Sequence, residues 1–519
     1  MGLVTHHARQ WRLTRGSAGG IGLSLALAVA LSVAGAGAAF ANATLTQISS
    51  DPFTSATCTA SNTTYHHTEV EPDAYSSGST IVAAFQVGRI YDGGACAIGF
   101  ATSTNNGASW TNGLLPGVTK YSSGSYDRAT DAAVAYDARH GVWLVSSLVL
   151  SESGGPHGVA VLTSRSTDGG LTWGTPVVTE NTSSSPDKNW IVCDDTASSP
   201  HYGNCYTEWD DNGSGNVMHM STSSDGGLTW GAAVTDGNGI IGGQPVVRPD
   251  GTVIVPTDNA NESALGAFNS TNGGASWSAV TTITTISHHT EAGSLRSGAL
   301  PSAEIDGAGT VYVVWSDCRF ERSCKANDLV IAHSTNSAGT AWSSVTRIPI
   351  DAVGSGVDHF IPGLAVNKGT SGSSAQLGLT YYYYPQSSCS SCTLDVGFVS
   401  STNGGSTWSA ATQVAGPFNV TWVANTTQGR MVGDYISTSY GTDNLAHGVF
   451  MTASAPTSGT SCGSVADNCV ESADSPASGL AIVGGSASGA RDLVVFGGGN
   501  HPSASLWNIV DNNGILHRD

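Results

Sequence analysis

Ser166-Thr167-Asp168-Gly169-Gly170-Leu171-Thr172-Trp173 is the stretch that decides the fold. It recurs as Ser103-Thr104-Asn105-Asn106-Gly107-Ala108-Ser109-Trp110. Close copies start at Ser223, Ser270 and Ser401, and a form one residue longer runs from Ser334 through Asn336 to Trp342. The starts lie 63, 57, 47, 64 and 67 residues apart. A repeat of that length is one supersecondary unit that buries its face on its neighbours. The residue types follow hairpin logic. Asp or Asn bonds its own turn backbone, Gly supplies positive φ, and Ser or Thr hydroxyls satisfy the remaining turn groups. The Trp then opens the next strand with a large ring to bury between units. The boxes are therefore read as staples of the fold and not as reactive sites.

Strand patterns surround each box. "AAVAYDA" (132–138), "GVWLVSSLVL" (141–150) and "GVAVLTSRST" (158–167) precede the second box, and "GTPVVTE" (174–180) follows it. "PSAEID", "TVYVVWSD" and "DLVIAHST" repeat the order before the fifth. Four short strands per unit, without helical periodicity, predict an all-β propeller. Six units carry a box. A seventh strand pair, 430–441 and 447–456, carries none, and 43–50 can close the ring as its outer strand. Seven blades are expected, with six as the alternative. The propeller is expected over 44–456. The Gly/Ser-rich segment 457–519, with one strand-like piece at 491–498, either completes the last blade or forms a tail.

Composition narrows the function classes. The chain has 519 residues, 66 of them Gly, with 39 acidic and 19 basic residues and a formal net charge of −20. So few cations cannot neutralise a nucleic-acid backbone. Arg9, Arg12 and Arg15 precede an apolar run, Ile21–Phe40, and then the small-x-small pattern Ala41-Asn42-Ala43. This reads as a secretory signal peptide over 1–43. A membrane anchor is the alternative, but the run is rich in Ala and Gly. A secreted monomer with no membrane partner is expected. The ten cysteines lie as close neighbours: 58 and 96, 193 and 205, 318 and 324, 389 and 392, 462 and 469. An even count in an exported chain favours five disulfides, with the pairing left open. A zinc reading of Cys389 and Cys392 lacks a second ligand pair.

The boxes resemble the Asp-box repeats of the sialidase superfamily, over most of residues 69–455. "DHFIPGLAVN" (358–367) and "TTQGRMVGDYISTSY" (426–440) are similar to stretches of secreted actinobacterial proteins of sialidase-like type. The resemblance implies a glycan-active propeller. It also implies three arginines for a substrate carboxylate, an Asp acid/base, and a Tyr nucleophile assisted by Glu. Guanidinium forks grip carboxylates bidentately. A Tyr nucleophile avoids repulsion from an anionic sugar.

Propeller sites lie where the inner strands begin, and here those positions are unusually polar. They hold Glu69, Glu71, Arg128, Asp131, Asp187, Lys188, Arg296, Asp358, His359, Arg430, Asp434 and Tyr435. On the resemblance, Arg128, Arg296 and Arg430 are the candidate triad. Asp131 is the candidate acid, Tyr435 the nucleophile and Glu291 the base. Asp434, Asp358 and His359 are candidate substrate contacts. The alternative is that the Arg–Asp pairs tie blades together. One departure stands out. The family's Arg-Ile-Pro appears only as Arg347-Ile348-Pro349, after the fifth box, with Arg89 as a possible substitute. "HHTE" occurs twice, at 66–69 and 288–291. Paired His suit metal or acid/base work and, with a Tyr, suit a lyase acting beside a uronate carboxylate. Asp210–Asn216 carries alternate oxygen ligands but lacks a terminal acid, and reads as a hairpin turn before a calcium loop. The first hypothesis is an exo-acting glycosidase on acidic glycans. A polysaccharide lyase and a non-catalytic glycan- or protein-binding propeller follow. No cofactor and no metal are expected.

Overall fold

A computed structural model describes residues 43–485 and a short strand pair at 509–510 and 516–517. The expected signal peptide and the strand-like piece at 491–498 lie outside the described residues. Among the described residues there is no α-helix, and no helix long and apolar enough to cross a membrane.

The fold is all-β, as expected. Among the described residues, seven antiparallel units follow one another along the chain, the first two joined into one eight-stranded sheet through Ala95 and Ala129. The second shows why the sequence folds so. Its strands Arg128–Asp137, Val142–Ser151, His157–Ser166 and Val177–Glu180 pair as a meander. Val142–Ser151 is buried along nearly its whole length. A strand covered on both faces needs apolar residues at consecutive positions, not alternate ones. The first strands of the units are Glu69–Ser77, Arg128–Asp137, Pro186–Cys193, Val246–Val247, Ser302–Ile305, Asp358–Val366 and Ser437–Tyr440. Each packs against the next, and the last returns to the first. Asp73, Val134, Ile191, Val246, Ala303, Leu364 and Ser437, one from each, line a central cavity of about 270 Å³. The apolar cores lie between adjacent sheets, as with Val82, Phe100, Val134 and Trp143 between the first and second units.

The boxes are hairpin staples. Asp168 Oδ1 accepts from the N–H groups of Leu171 and Thr172, and its Oδ2 takes the Thr172 hydroxyl at 2.6 Å. The Trp Nε1 of four boxes donates to the carbonyl of the glycine three residues earlier, as from Trp173 to Gly170 at 3.1 Å. That glycine packs on the preceding unit. Gly170 has φ +83°, and a Cβ there would lie 2.6 Å from Val82. The same glycine faces Leu144, Tyr206, Ile254 and Ile331 in later boxes, and Gly107 of the first box faces His447 of the seventh unit. The staple chain thus closes on itself.

Leu45–Gln47 pairs with Glu471–Pro476, the outer side of the seventh unit. Glu471–Pro476 lies beyond the 456 boundary read from sequence, so part of the Gly/Ser-rich segment is built into the sheet. All ten cysteines pair as sequence neighbours. Cys389 and Cys392 form a disulfide with each other.

Candidate active site

Four of the inner strands share one irregularity. Their register slips by a residue between Val70 and Asp73, Thr130 and Ala133, Asp187 and Trp190, and Phe360 and Pro362. At each slip a non-glycine residue takes positive φ: Glu71 at 54°, Asp131 at 48°, Lys188 at 42° and Ile361 at 48°. A bulge of this kind re-aims a side chain, and left-handed backbone at four such residues costs about 1–2 kcal/mol each. Three of the four are charged, and they converge. Lys188 Nζ lies 3.5 Å from Glu71 Oε1, 3.5 Å from Asp131 Oδ1 and 2.5 Å from Asp434 Oδ2. The Glu71 and Asp131 oxygens are therefore within twice 3.5 Å of each other.

Asp434 reaches this centre through a tight backbone passage. Gly433, at φ +146°, brings the chain so close to Glu71 that a Cβ would sit 2.8 Å from the Glu71 Cα. Arg296 grips Asp434 bidentately, Nε to Oδ1 at 2.7 Å and Nη2 to Oδ2 at 2.5 Å. Gln86 Nε2 donates to Glu71 Oε2, and Arg89 Nη1 donates to Gln86 Oε1 at 2.7 Å. Among the described residues Arg89 forms no ion pair, and its buried Nε has no hydrogen-bond partner. Glu71, Arg89, Asp131, Lys188, Arg296 and Asp434 line one face of a cavity of about 570 Å³.

Burial sets these carboxyls apart. It lifts Glu71 to about 7 against the pull of Lys188. It also raises Asp131, again opposed by Lys188. Burial would raise Asp434 too, but Arg296 and Lys188 hold it well below the usual carboxylate range. Arg89 is lowered to about 10, by burial first and by Arg296 second. One centre thus holds two carboxyls biased toward the proton and one fixed as an anion, an arrangement suited to acid/base chemistry.

The structure brings together Asp131, Asp434 and Arg296 of the residues singled out in the sequence. The arginine triad does not assemble. Arg128 is buried, with Nη1 on Asp92 at 2.6 Å, Nε on Glu152 at 2.8 Å and further bonds to Gly93 O and Ser61 Oγ. Arg430 donates to the carbonyls of Val423 and Cys462. Its own backbone carbonyl accepts from Arg296 N at 2.6 Å, so it holds Arg296 through its main chain. Tyr435 is buried beneath Lys188 and edge-on to Trp190, and its hydroxyl donates to Ala132 O at 3.4 Å. Burial, with Glu71 and Asp131 nearby, holds that phenol well above its ordinary range, which disfavours a nucleophilic role.

Glu291 and Asp358 form a separate cluster around Asn327, between the fifth and sixth units, while His359, the next residue on the strand, lies against Tyr381 and Tyr383. Asn327 Nδ2 donates to Glu291 Oε1 at 2.9 Å, and the Asn327 N–H donates to Asp358 Oδ1 at 2.6 Å. His288 and His289 face Glu291 and Asp358 at 3.3 and 3.7 Å. The first HHTE lies elsewhere, with His66 buried against Thr64. Arg347 is held by Asp328 and Asp351, outside the cavity. Asp210–Asn216 is a hairpin turn, capped by Asp211 and tied by Asn216 Nδ2 to Asp210 at 2.7 Å. Glu71 and Lys188 were visible only as polar residues near strand starts. The signal that singles them out is their place at the bulge, opposite Asp131.

No family model matches the chain, and no curated protein matches it. Solved structures similar to it include a Hadza microbial sialidase, at 14% identity and TM-score 0.40, covering 61% of this chain and 64% of that one. The chain thus spans less than two thirds of that protein. The Trypanosoma rangeli sialidase in complex with sialic acid is 13% identical, at TM-score 0.42, over 69% of this chain and 57% of that one. An ulvan lyase, of a polysaccharide lyase family, is 10% identical, at TM-score 0.45, over 78% of this chain and 93% of that one. These are likenesses of fold.

Proposed function

We propose that this protein is a secreted, monomeric, seven-bladed propeller hydrolase of acidic glycans, with Glu71, Asp131 and Lys188 at its active centre. The observation that carries the reading is the convergence of Glu71 and Asp131 on one lysine at a cavity wall, both buried and both biased toward protonation. Glycoside hydrolysis uses such a pair. Glu71 gives its proton to the glycosidic oxygen as the C–O bond breaks. Asp131, once ionised, takes a proton from the water that adds to the sugar carbon. Products are a hemiacetal and an alcohol, and the proton count balances. Asp434 stays an anion that anchors Lys188 and Arg296. Arg89, with an unpartnered Nε on the same cavity, is the group that suits an anionic sugar substituent.

A lyase reading has one observation in its favour. His157 lines the same cavity, and its Nδ1 donates to Gly155 O at 2.8 Å, leaving Nε2 as the basic nitrogen. The products separate the two readings. A panel of acidic oligosaccharides and fluorogenic acidic glycosides is incubated with the enzyme. New reducing ends without near-ultraviolet absorbance are expected. Glu71→Gln should lower kcat by about 10²–10⁴-fold, the usual worth of a general acid. Unsaturated, absorbing products would overturn hydrolysis in favour of elimination. Retention of glycans without turnover would leave a binding propeller.

A further inference from the structure

We propose that Asp328, Asp351 and His359 bind a divalent transition-metal ion of the zinc class and clip the fifth unit to the sixth. Asp328 opens the strand Asp328–His333 of the fifth unit, and His359 is the second residue of Asp358–Val366 of the sixth. Asp351 lies on the connection between them. One ligand atom from each residue lies within 4.8 Å of the other two. Zinc bonds of about 2.0–2.2 Å place neighbouring ligands about 3–4 Å apart, so small side-chain movements complete the geometry.

The surroundings match what a ligand set needs. The buried His359 ring directs Nδ1 at the Asn327 carbonyl, 3.3 Å away. A carbonyl only accepts, so Nδ1 carries the proton and Nε2 presents its lone pair. Metal-bound imidazoles are commonly oriented in this way. Arg347 lies with Nε 2.7 Å from Asp328 Oδ1 and Nη2 2.6 Å from Asp351 Oδ1, and the Ser355 hydroxyl donates to Asp351 Oδ2. These partners hold both carboxylates in place. They leave Asp328 Oδ2, on a residue only 2% exposed, with no hydrogen-bond partner. A buried carboxylate oxygen without a donor is costly, and a metal ion satisfies it.

Charge and access agree. Glu321 accepts from Gly354 N at 2.9 Å and so sits against the same connection. Asp328, Asp351 and Glu321 set three carboxylates against one guanidinium, and a dication balances the remainder. The imidazole favours zinc or its transition-metal neighbours over calcium or magnesium, which prefer all-oxygen sites. Asp351 is the partly exposed member, at 21%, and gives the ion its way in. None of the three residues lines the glycan cavity, so the inference is independent of the proposed hydrolysis.

The test uses the full secreted chain, stripped with chelator and dialysed against Zn²⁺ or Co²⁺. Elemental analysis should find one ion per chain, Co²⁺ should give visible absorption bands, and zinc should raise Tm. Asp351→Asn, at the exposed edge, should fold and lose at least about tenfold in zinc affinity, and His359→Gln should lose more. Wild-type protein that takes up no stoichiometric ion overturns the proposal. So does uptake that Asp351→Asn leaves unchanged.

Discussion

Lys188 is the residue on which the proposed active centre turns. Its Nζ is shared among Glu71, Asp131 and Asp434, and it is the cation that lowers the Glu71 carboxyl from where burial alone would put it. Lys188→Met keeps most of the apolar stem and removes the charge. Glu71 then loses its ion-pair partner, keeps only the weaker pull of Arg296, and holds its proton to higher pH. Activity that needs protonated Glu71 should fall with an alkaline limb near 7 in the native enzyme, where its carboxyl is pushed up to about 7. In Lys188→Met that limb should move upward. The check is a pH profile of kcat/KM for both proteins on the best substrate from the glycan panel. A limb at the same pH in both would remove Glu71 from the acid role.

At the scale of the element, the box hairpin joins one unit to the one before it. Trp173 is 8% exposed, lies 5.9 Å from Phe100 of the first unit and is fixed by its bond to Gly170 O. Trp173→Ala opens a cavity at that seam and should cost about 3–5 kcal/mol. Leu171 belongs to the same box but is 39% exposed, and Leu171→Ala should stay within about 0.5 kcal/mol. Urea unfolding of both variants measures the contrast, and equal losses would mean that the box acts only as a turn. The box was fully legible in the sequence because its chemistry is local: eight residues contain both the turn and the ring. The strands were legible for the same reason, whereas the cysteine pairing stayed open until the structure joined sequence neighbours. The candidate site was legible only in part. Its polar residues could be seen at the strand starts. The bulges that turn Glu71, Asp131 and Lys188 into one cavity are backbone events, set by register across strand pairs. Even Ile361, a β-branched residue poorly suited to positive φ, adopts the bulge. Arg128 was misplaced for a related reason. Its partners, Asp92 and Glu152, come from two separate loops that only the assembled sheets bring to it.

For the whole molecule, the formal charge of −20 counts every carboxyl as ionised, and the fold does not permit that. Burial raises Asp73, Asp195 and Asp474 to about 6, and Glu71 to about 7. Their unfolded values are near about 4. Between those limits the folded chain binds more protons than the unfolded chain, so stability is full at the acid end and is lost as pH rises through 6 and 7. The opposite case is Asp168, held at about 2 by the Thr172 side chain and backbone, with Asp434 also depressed. Their contribution is present above the ordinary carboxyl range and fades only as pH falls below about 4. The two trends together place the stability maximum near pH 4–5. Repulsion among surface carboxylates adds to the loss at higher pH, but salt screens that part and leaves the buried part. Calorimetry with chelator present, at low and high salt, should therefore give a Tm several degrees higher at pH 5 than at pH 8. The difference should shrink with salt without disappearing. A Tm that is flat or rising across that interval would mean that the interior carboxyls are ionised in the folded ring. The cluster around Lys188 would then be a fixed network of ion pairs with no proton to give.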